Sequence, residues 1–593
     1  MIPHSRSLSL FLFSALCTPL AAQTMLRASE GAGGVEGLGH CVSGKLSADG
    51  RYVAFASFAP NLVAGDTNIH ADVFVRDLLL STTVRVSVDS SGAEAVGGDS
   101  LAPSISSDGR FVSFWSAATN LAPGDTNGAT DVFVHDMQTG VTTRVSVSSA
   151  GVQANNYSYT SDGNISGDGR FVGFSSFANN LVPNDQNGLA DAFVHDRLTG
   201  QTTRVSVGNT GNGANASSTG CYVSDDGHLA TFSSSASNLV TGDTNQTDDV
   251  FVRDLVSGTT LRVSIDPAGN EGNGASSGAS LTPDGRFVAF ASFASNLAGV
   301  DTNGNRDVFM RDLLTVTTVR VSLSSGGQQI GLDSSGVSLS ADGRYAVFQS
   351  AEPSLVAGDS NGLFDTFVRD QTTGATRCVS LTPAGTTGNL ESLGGSLSAD
   401  GQRVCFLSAA SNLILGDSNF LSDMFVLDRG QLAQSPFCFG DGTQVTACPC
   451  ANSGAAGRGC ENSSTSGGSL LVASGFAADP DSTTLHASGL VPNALTIFLQ
   501  GNAQLAGSVF GDGVRCAGGA LKRLYIASAV GQDASMPTGF SLPLGLRSAQ
   551  LGDPIAHGTS RFYQAWYRDA NASFCAAPLG GTSNISNGVQ IDW

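Results

Sequence analysis

The stretch LSADGRYVAFASFAPNLVAGDTNIHADVFVRD, residues 46–77, recurs with small changes along the first two thirds of this chain. A second legible copy, LTPDGRFVAFASFASNLAGVDTNGNRDVFMRD, spans residues 281–312. Each copy has an aspartate in its D-G turn, and the seven turns lie at Asp49, Asp108, Asp168, Asp226, Asp284, Asp342 and Asp400. A period of 58 to 60 residues, built from short β-type runs and turn signals, is typical of a toroidal or solenoid β-array.

Each repeat contains four β-type runs, which in the second repeat are residues 104–106, 111–116, 131–136 and 142–148. Four antiparallel strands per repeat make one propeller blade. The strand cores are apolar on both faces, as expected for sheets that lie between two neighbours. One equivalent phenylalanine in each third run should form this packing: Phe74, Phe133, Phe193, Phe251, Phe309, Phe367 and Phe425.

The seventh repeat lacks its fourth run, because DMFVLD at residues 423–428 is followed by QLAQSPFC. A matching run, TMLRAS, stands at residues 24–29, near the other end of the chain. We therefore predict an all-β fold in which residues 23–430 form a seven-bladed β-propeller that is closed by the N-terminal strand.

The S-x-D-G-R-x-x-x-F-x-S core followed by D-x-F-V-x-D resembles the TolB-type propeller repeat, which is itself similar to WD-repeat blades. The resemblance covers all seven repeats and implies the fold. It implies little about function, since members of the family include binding proteins, scaffolds and noncatalytic domains of enzymes. This chain differs from TolB in having seven repeats rather than six and a G-D-T-N insertion, so the partners of TolB are not transferred to it.

Composition and charge narrow the classes of partner. The chain has 593 residues, a net charge of -21, and 29 lysines and arginines against 50 acidic residues. This balance argues against nucleic-acid binding, because a phosphate backbone needs a basic face. Cations or neutral ligands fit the composition better.

Residues 1–22 are expected to be a secretory signal peptide. They combine a basic start at His4 and Arg6, an apolar run over residues 8–16 and small residues at the end. A membrane anchor is the alternative, but the apolar run is shorter than the ~20 residues that a spanning helix needs. We therefore expect a monomer without a transmembrane segment that is secreted, periplasmic or on the cell surface.

All seven repeats carry a D-x-N-x3-D motif between the second and third runs. The motif residues are Asp66, Asn68, Asp72; Asp125, Asn127, Asp131; Asp185, Asn187, Asp191; Asp243, Asn245, Asp249; Asp301, Asn303, Asp307; Asp359, Asn361, Asp365; and Asp417, Asn419, Asp423. Two carboxylates and an amide oxygen are hard oxygen ligands of the kind that calcium takes, so we predict Ca2+ as a candidate cofactor. The alternative is that these residues cap the loop through Asx turns.

Strand alternation places the D-x-N loops on one face of the propeller and the D-G-R turns on the other. On the turn face, arginines are expected beside the aspartates that end the third runs, as in Arg51 with Asp77 and Arg110 with Asp136. The loop face is expected to be acidic. We predict a secreted binding or scaffold protein without catalytic activity that recognises a protein or glycan partner through this acidic loop face.

The sequence shows no obvious catalytic constellation. The first runs end in a ring of hydroxyls, beginning with Ser47, that we expect to bind channel water, since no acid or base accompanies them. His135 and His195 occupy a position that is arginine in four other repeats, and we expect both on the surface. The alternative function is a carbohydrate-active hydrolase or lyase at the channel mouth, where loops containing Tyr157 and Tyr159 could form a pocket.

Cysteine use changes after the last repeat. We expect a linker over residues 431–437 and a small Cys-rich β-sandwich over residues 438–593. Its six cysteines are Cys438, Cys448, Cys450, Cys460, Cys516 and Cys575. In an exported protein this even set predicts disulfides, with fifteen possible pairings, and zinc at the C-P-C motif is the alternative. The module resembles Cys-rich C-terminal modules of other exported bacterial proteins. Buried, reduced thiols are expected in the propeller at Cys41, Cys221, Cys378 and Cys405.

Overall fold

In the computed structural model, the regular secondary structure of the described residues is almost entirely β-strand. Within residues 24–429 it describes every residue except 161–163, 356–358, 360 and 383–385. In the C-terminal part it describes residues 434–437, 448, 455, 458–460, 462–464, 468–474, 484–510, 513–537, 544–555, 560–569 and 583–592. The expected signal peptide lies outside these residues. The chain divides into two compact units, one spanning Met25–Arg429 and the other containing Gly430–Trp593.

The first unit consists of seven four-stranded antiparallel sheets, one for each sequence repeat. It begins with β1 (Thr24–Arg27) and a short 3-10 turn at Ala32–Gly34. The first strands of the sheets are β2 (Cys41–Leu46), β6 (Ser100–Ile105), β10 (Ser158–Tyr159), β14 (Ser218–Val223), β18 (Ser276–Leu281), β22 (Ser334–Leu339) and β26 (Ser392–Leu397). The second strands are β3 (Tyr52–Ser57), β7 (Phe111–Ser116), β11 (Phe171–Ser176), β15 (Leu229–Ser234), β19 (Phe287–Ser292), β23 (Tyr345–Ser350) and β27 (Arg403–Ser408).

The third strands all run from one aspartate to another. They are β4 (Asp72–Asp77), β8 (Asp131–Asp136), β12 (Asp191–Asp196), β16 (Asp249–Asp254), β20 (Asp307–Asp312), β24 (Asp365–Asp370) and β28 (Asp423–Asp428). The fourth strands of the first six sheets are β5 (Thr82–Arg85), β9 (Val141–Arg144), β13 (Gln201–Arg204), β17 (Thr259–Arg262), β21 (Thr317–Arg320) and β25 (Thr376–Cys378). Repeated sheets of this kind are the building unit of a propeller.

The core lies between neighbouring sheets. The seven third-strand phenylalanines are fully buried, as predicted, and each stacks on a phenylalanine of the second strand of its own sheet, with ring centroids 5.7 Å apart for Phe55 and Phe74. In the second repeat the second and third strands have the predicted bounds, whereas β6 begins four residues before the predicted position. A bulge between Leu101 and Ser104 lets β6 continue its pairing with β7.

The first and seventh repeats are in contact. β1 pairs with β28, so that residues from the start of the unit provide the fourth strand of the seventh sheet. Ala28 N donates to Met424 O at 2.7 Å. Leu46 of the first sheet shares a hydrophobic cluster with Cys405 and Met424 of the seventh.

The described residues of the C-terminal unit form the remaining strands and one short helix. The elements are β29 (Gln434–Phe437), β30 (Leu470–Ser474), β31 (Thr484–Ser488), β32 (Leu495–Gly501), β33 (Ala503–Phe510), β34 (Gly513–Gly518), β35 (Lys522–Ser528), β36 (Ala534–Met536), α1 (Leu544–Gln550), β37 (Ser560–Arg568), β38 (Ser583–Ile585) and β39 (Gly588–Asp592). A larger sheet has the order β29-β39-β37-β32-β35, with β38 on β37, and β30-β31-β36 form a second sheet. Side chains of both sheets, such as Leu485, Phe498 and Tyr567, share one hydrophobic core.

The structure bears on two predictions about this unit, one about its linker and one about its disulfides. Residues 434–437 form β29, paired with β39, rather than part of a linker. Pro436 is compatible with this position because β29 lies at the sheet edge, where a missing N–H is tolerated. Cys448 and Cys460 form a disulfide, with Cα atoms 5.8 Å apart. Among the described residues, no helix has the length and apolar character needed to cross a membrane.

Candidate functional site

The D-x-N-x3-D loops are organised around an arginine from the fourth strand. In the fifth repeat, Arg320 places Nη2 3.5 Å from Asp301 Oδ2 and Nε 3.3 Å from Asp307 Oδ2. The three side chains are 6%, 2% and 0% exposed. The guanidinium therefore supplies the positive charge that two buried carboxylates require.

The same arrangement occurs in six of the seven repeats. The arginines that contact both loop aspartates are Arg27, Arg85, Arg144, Arg204, Arg262 and Arg320. Arg27 serves the loop of the seventh repeat because β1 pairs with β28. In three repeats a glutamate joins the two aspartates and also contacts the arginine: Glu36, Glu94 and Glu271.

The asparagine of each loop has a structural role. Asn127 Oδ1 accepts from Ala129 N at 2.8 Å, and Asn127 Nδ2 donates to Ala154 O at 2.8 Å. Equivalent contacts exist in all seven loops. The Asx-turn alternative therefore describes what these asparagines do.

The loop carboxylates are turned away from solvent. The side chains of Asp66, Asp125 and Asp185 are 4%, 3% and 3% exposed. The prediction of an acidic loop face is wrong for these residues. Their carboxylates are buried, and a fourth-strand arginine neutralises the charge of each. Calcium binding stays a prediction. Among the described residues, both loop aspartates lack an arginine contact in the sixth repeat, at Asp359 and Asp365.

The turn face carries the ion pairs that the sequence predicted. Arg286 Nη2 lies 2.7 Å from Asp312 Oδ2, and the guanidinium stacks 4.6 Å from the centroid of the Phe287 ring. The hydrogen bond from Arg286 lowers the pKa of Asp312 to about 2. The other predicted pairs are Arg51 with Asp77, Arg110 with Asp136, Arg170 with Asp196 and Arg344 with Asp370. In the seventh repeat the turn position is Gln402, and Arg403 of β27 pairs with Asp428 instead.

Two expectations about polar residues are wrong. Ser47 is fully buried and its Oγ donates to Asp49 Oδ1 at 2.6 Å, and the equivalent hydroxyls of the other six repeats make the same contact. These hydroxyls cap the D-G turns rather than bind channel water. His135 and His195 are buried, each with Nδ1 2.9 Å from a threonine hydroxyl of the neighbouring strand, rather than on the surface. Burial lowers the pKa of His195 to about 4.

A cavity at the turn face is lined by residues from all seven repeats and measures about 150 Å³. Neighbouring D-G hairpins are joined there by backbone hydrogen bonds. Ser107 N donates to Gly167 O at 2.9 Å, and Ala399 N donates to Ala48 O at 2.7 Å. These contacts narrow the centre of the unit at this face.

The cavities at the loop face are larger than the one at the turn face. Two cavities, of about 430 and 440 Å³, share Tyr222, Ser277 and Gly278 in their lining. They are bordered by the starts of the first strands, which lie beside the D-x-N loops. A further cavity of about 520 Å³ lies between the fourth and fifth repeats, next to Arg262 and Glu271 of the arginine clusters described above. We call the two shared cavities the loop-face mouth.

Bulges in the first strands shape the loop-face mouth. The pairing of β18 with β19 shifts register between Ser277 and Ser280. Gly278, inside this shift, has a φ of 67°, and Gly336 and Gly394 occupy the same left-handed region in their strands. A side chain at Gly278 would meet no atom within 4 Å, so glycine is favoured there by its conformation and not by space. Ala102, at the same place in β6, also has a positive φ of 50°. A bulge leaves one residue out of the strand ladder and re-aims its neighbours, as often occurs near binding sites.

The side chains at the loop-face mouth are mostly small and polar. Charged groups come from Asp248 in one cavity and from Lys45 and Arg306 in the other. Of the two tyrosines singled out by sequence, Tyr159 lines the mouth and Tyr157 is 54% exposed outside it. The mouth thus combines hydroxyls, backbone and an aromatic ring with few charges.

Comparison with known proteins yields similarity of structure alone. No family model matches the chain, and no curated protein matches it. A putative TolB from Agrobacterium tumefaciens is 15% identical with a TM-score of 0.31, over 48% of this chain and 80% of that one. Oligogalacturonate lyase from Vibrio parahaemolyticus is 12% identical with a TM-score of 0.42, over 69% and 96%. An acylaminoacyl peptidase from Pyrococcus horikoshii is 10% identical with a TM-score of 0.39, over 77% and 59%. The chain is similar to TolB-like propeller proteins, and these neighbours indicate nothing about its activity.

Sequence reasoning missed the fourth-strand arginines as partners of the loop aspartates. The signal was present, because an arginine precedes V-S at the same place in five repeats, from Arg85 to Arg320, and Arg27 precedes A-S in residues 24–29. The sixth repeat breaks the pattern with Cys378. A residue type that recurs with the same period as two aspartates is a candidate contact of those aspartates.

Proposed function

We propose that this protein is a secreted, non-catalytic binding protein whose ligand is a glycan segment held at the loop-face mouth. The observation that carries the proposal is the pair of cavities, about 430 and 440 Å³, around Tyr222, Ser277 and Gly278. Clefts of roughly 300–1,000 Å³ are the usual size of small-ligand sites in proteins. A protein partner, the other ligand class left open by the sequence, is the competing outcome of the test.

The scaffold of the site is proposed to be a closed, seven-bladed propeller formed by the seven sheets. Closure is supported by β1, which adds a fourth strand to the seventh sheet, and by the hydrogen bond from Ala399 N to Ala48 O between the last and first repeats. A cavity lined by all seven repeats also supports it. In such a ring each sheet packs between two others, which holds the bulged strands of the mouth in place.

The lining favours a saccharide ligand. Ser43, Thr219 and Ser335 add hydroxyl groups to that of Ser277. Hydroxyls donate and accept hydrogen bonds, as the hydroxyls of a saccharide do, so the two surfaces are complementary in kind. The ring of Tyr159 adds an aromatic face of the type that packs against apolar patches of a ligand.

Binding without turnover is proposed over the hydrolase or lyase alternative. Asp248 is the carboxylate among the described residues that line the two cavities of the mouth. Glycoside hydrolysis by the common mechanism uses two carboxyl groups that flank the scissile bond. One carboxylate can orient a sugar hydroxyl by accepting its hydrogen bond.

Export is part of the proposal. It rests on the basic, apolar and small-residue pattern of residues 1–22. The Cys448–Cys460 disulfide supports it, because disulfides persist in oxidising compartments. The C-terminal unit is therefore proposed to be a disulfide-stabilised module of the exported protein.

The test is a screen of the exported protein against immobilised oligosaccharides and immobilised peptides, followed by calorimetric titration of each ligand found. Ser277→Trp places an indole in both cavities of the mouth and is expected to weaken binding about tenfold or more, or ~1.4 kcal/mol. The matched control is Ser257→Trp, at an exposed serine between β16 and β17 on the turn face, which should bind like the wild type.

The outcomes separate the alternatives. Wild-type affinity in Ser277→Trp, or equal weakening in both variants, contradicts the placement of the ligand at the mouth. Shortening of the bound saccharide on prolonged incubation with the wild type contradicts the absence of catalysis. Capture of peptides and of no saccharide from the same screen points to the protein class of ligand.

A further inference from the structure

The sixth repeat departs from the other six at the centre of its loop cluster. Cys378 ends β25 where the other fourth strands end in arginine. Thr387 stands where three other repeats have a glutamate, since its bridge to Leu381 is equivalent to that between Glu271 and Ile265. The sixth repeat therefore lacks the guanidinium and also the third carboxylate, while it keeps both loop aspartates.

The two aspartates of this repeat are buried without a cationic partner among the described residues. Asp365 is fully buried and Asp359 is 9% exposed. Oδ1 of Asp365 accepts from Ser380 Oγ at 2.6 Å, as the equivalent oxygen does in the other repeats. Oδ2 of Asp365 and both carboxylate oxygens of Asp359 are buried and have no hydrogen-bond donor within 3.5 Å among the described residues, so that Asn361 is at best a weak partner of both carboxylates. In a native protein such groups require a partner.

The surroundings add negative charge. Glu352 is 7% exposed and accepts from Gly331 N at 2.7 Å and Ser354 N at 3.0 Å. Among the described residues, no lysine, arginine or histidine makes an ion pair with either aspartate.

We propose that the sixth repeat binds one divalent cation, Ca2+, through the carboxylates of Asp359 and Asp365, in the role that arginine has in the other repeats. Oxygen ligands suit a hard cation, and backbone carbonyls and water commonly complete the shell of calcium. A dication neutralises both carboxylates at once. The inference does not depend on the proposed glycan function, and it reduces the seven calcium loops predicted from sequence to one.

The chain itself provides the comparison that makes the proposal testable. Cys378→Arg restores the residue of the other repeats and is expected to remove the bound ion. Asp359→Asn is a second variant, which leaves the position of Cys378 unchanged and is expected to remove the ion as well. The matched control is Asp66→Asn, the equivalent change in the first repeat, where Arg85 lies 3.4 Å from the carboxylate. It should leave the number of bound ions unchanged.

The experiment measures calcium per chain by equilibrium dialysis of the full protein, and the melting temperature with millimolar calcium and with chelator. The wild type is expected to bind one ion more than either sixth-repeat variant. Its melting temperature should rise by roughly 2–4 °C with calcium, because a ligand of the native state stabilises it. This rise should be absent in Cys378→Arg and Asp359→Asn.

The proposal is overturned if calcium leaves the wild-type melting temperature unchanged at millimolar concentration. It is also overturned if both sixth-repeat variants bind as many ions as the wild type, since the ion would then lie elsewhere. A loss of one ion in Asp66→Asn would show that the arginine-filled loops bind calcium too, which contradicts the assignment to one repeat. If Cys378→Arg does not fold, Asp359→Asn alone decides.

Discussion

Replacement of Arg320 by alanine tests whether the fourth-strand arginines hold the loops together. The change leaves Asp301 and Asp307 buried without the guanidinium that now lies 3.5 and 3.3 Å from them. Removing one partner from a buried ion pair typically costs about 3–5 kcal/mol, because the remaining charge loses its compensation. The site can limit the loss by protonating one aspartate.

The free-energy cost of protonating one aspartate sets an upper limit on the loss of stability, and it follows from the ordinary pKa of aspartate. Holding a proton on Asp307 at pH 7 requires a pKa about three units above the ordinary value of ~3.9, which corresponds to ~4 kcal/mol at 1.36 kcal/mol per unit. The cost of an uncompensated buried charge and the cost of protonation both predict that Arg320→Ala lowers the free energy of unfolding by about 4 kcal/mol at neutral pH. Because protonation becomes easier in acid, the loss should shrink as the pH falls from 7 to 5.

The assay is urea unfolding of the first unit. Trp115 is the only tryptophan in residues 24–429 of the sequence, so its fluorescence in a Trp566→Phe, Trp593→Phe background reports this unit. The matched control is Arg286→Ala, which removes an arginine that also pairs with an aspartate but is 41% exposed. An exposed pair of this kind contributes ~1 kcal/mol or less.

Two results would refute the reasoning. Equal losses in Arg320→Ala and Arg286→Ala would show that burial does not set the importance of these pairs. A loss in Arg320→Ala that grows as the pH falls would show that the remaining aspartates are not the source of the instability.

Three further predictions concern other contacts. Asp312→Asn should destabilise the protein at pH 7. The difference in stability from the wild type should disappear as the pH falls from about 4 to about 2. The reason is that the native pKa of Asp312 is lowered to about 2, so its stabilising charge is lost in that range. A difference that persists at pH 2 would contradict this. Deletion of residues 24–29 should lower the urea midpoint of the first unit and increase proteolysis of β28, since the deletion removes its partner strand and Arg27. An unchanged midpoint would count against a stabilising role of β1 in the seventh sheet. Cys448→Ala should destabilise the C-terminal unit by about 2–4 kcal/mol, as followed by Trp566 fluorescence, with no effect on Trp115; an effect on Trp115 alone would contradict the assignment.

Much of the fold was predictable because each repeat carries the same local signals. The D-G turns fix where first and second strands meet, and the continuous apolar runs fix the second and third strands, so that Phe111–Ser116 and Asp131–Asp136 have the predicted bounds. The match of residues 24–29 to the fourth-strand pattern indicated where β1 pairs. The bulges were not predictable from the strand period alone. A glycine such as Gly278 is as typical of a turn as of a bulge, so its presence does not distinguish the two.

The candidate sites were predicted less well. Sequence spacing identified the loop aspartates but not their surroundings, and the key contact, from Arg320 to Asp307, joins residues on different strands. Ser47 was assigned to the channel, whereas its hydroxyl turns back to the aspartate two positions later. The loop-face mouth has no sequence motif, because its lining comes from equivalent positions of many repeats and depends on the arrangement of the sheets.

The most direct measurement of the central claim, that a glycan binds at the loop-face mouth, is hydrogen–deuterium exchange of the protein with and without a saccharide found in the screen. Slower exchange is predicted in the first strands at residues 218–222, 276–279 and 334–337, which border the two cavities. Exchange that slows only in the outer turns, such as residues 255–258, or only in residues 434–592, would contradict it.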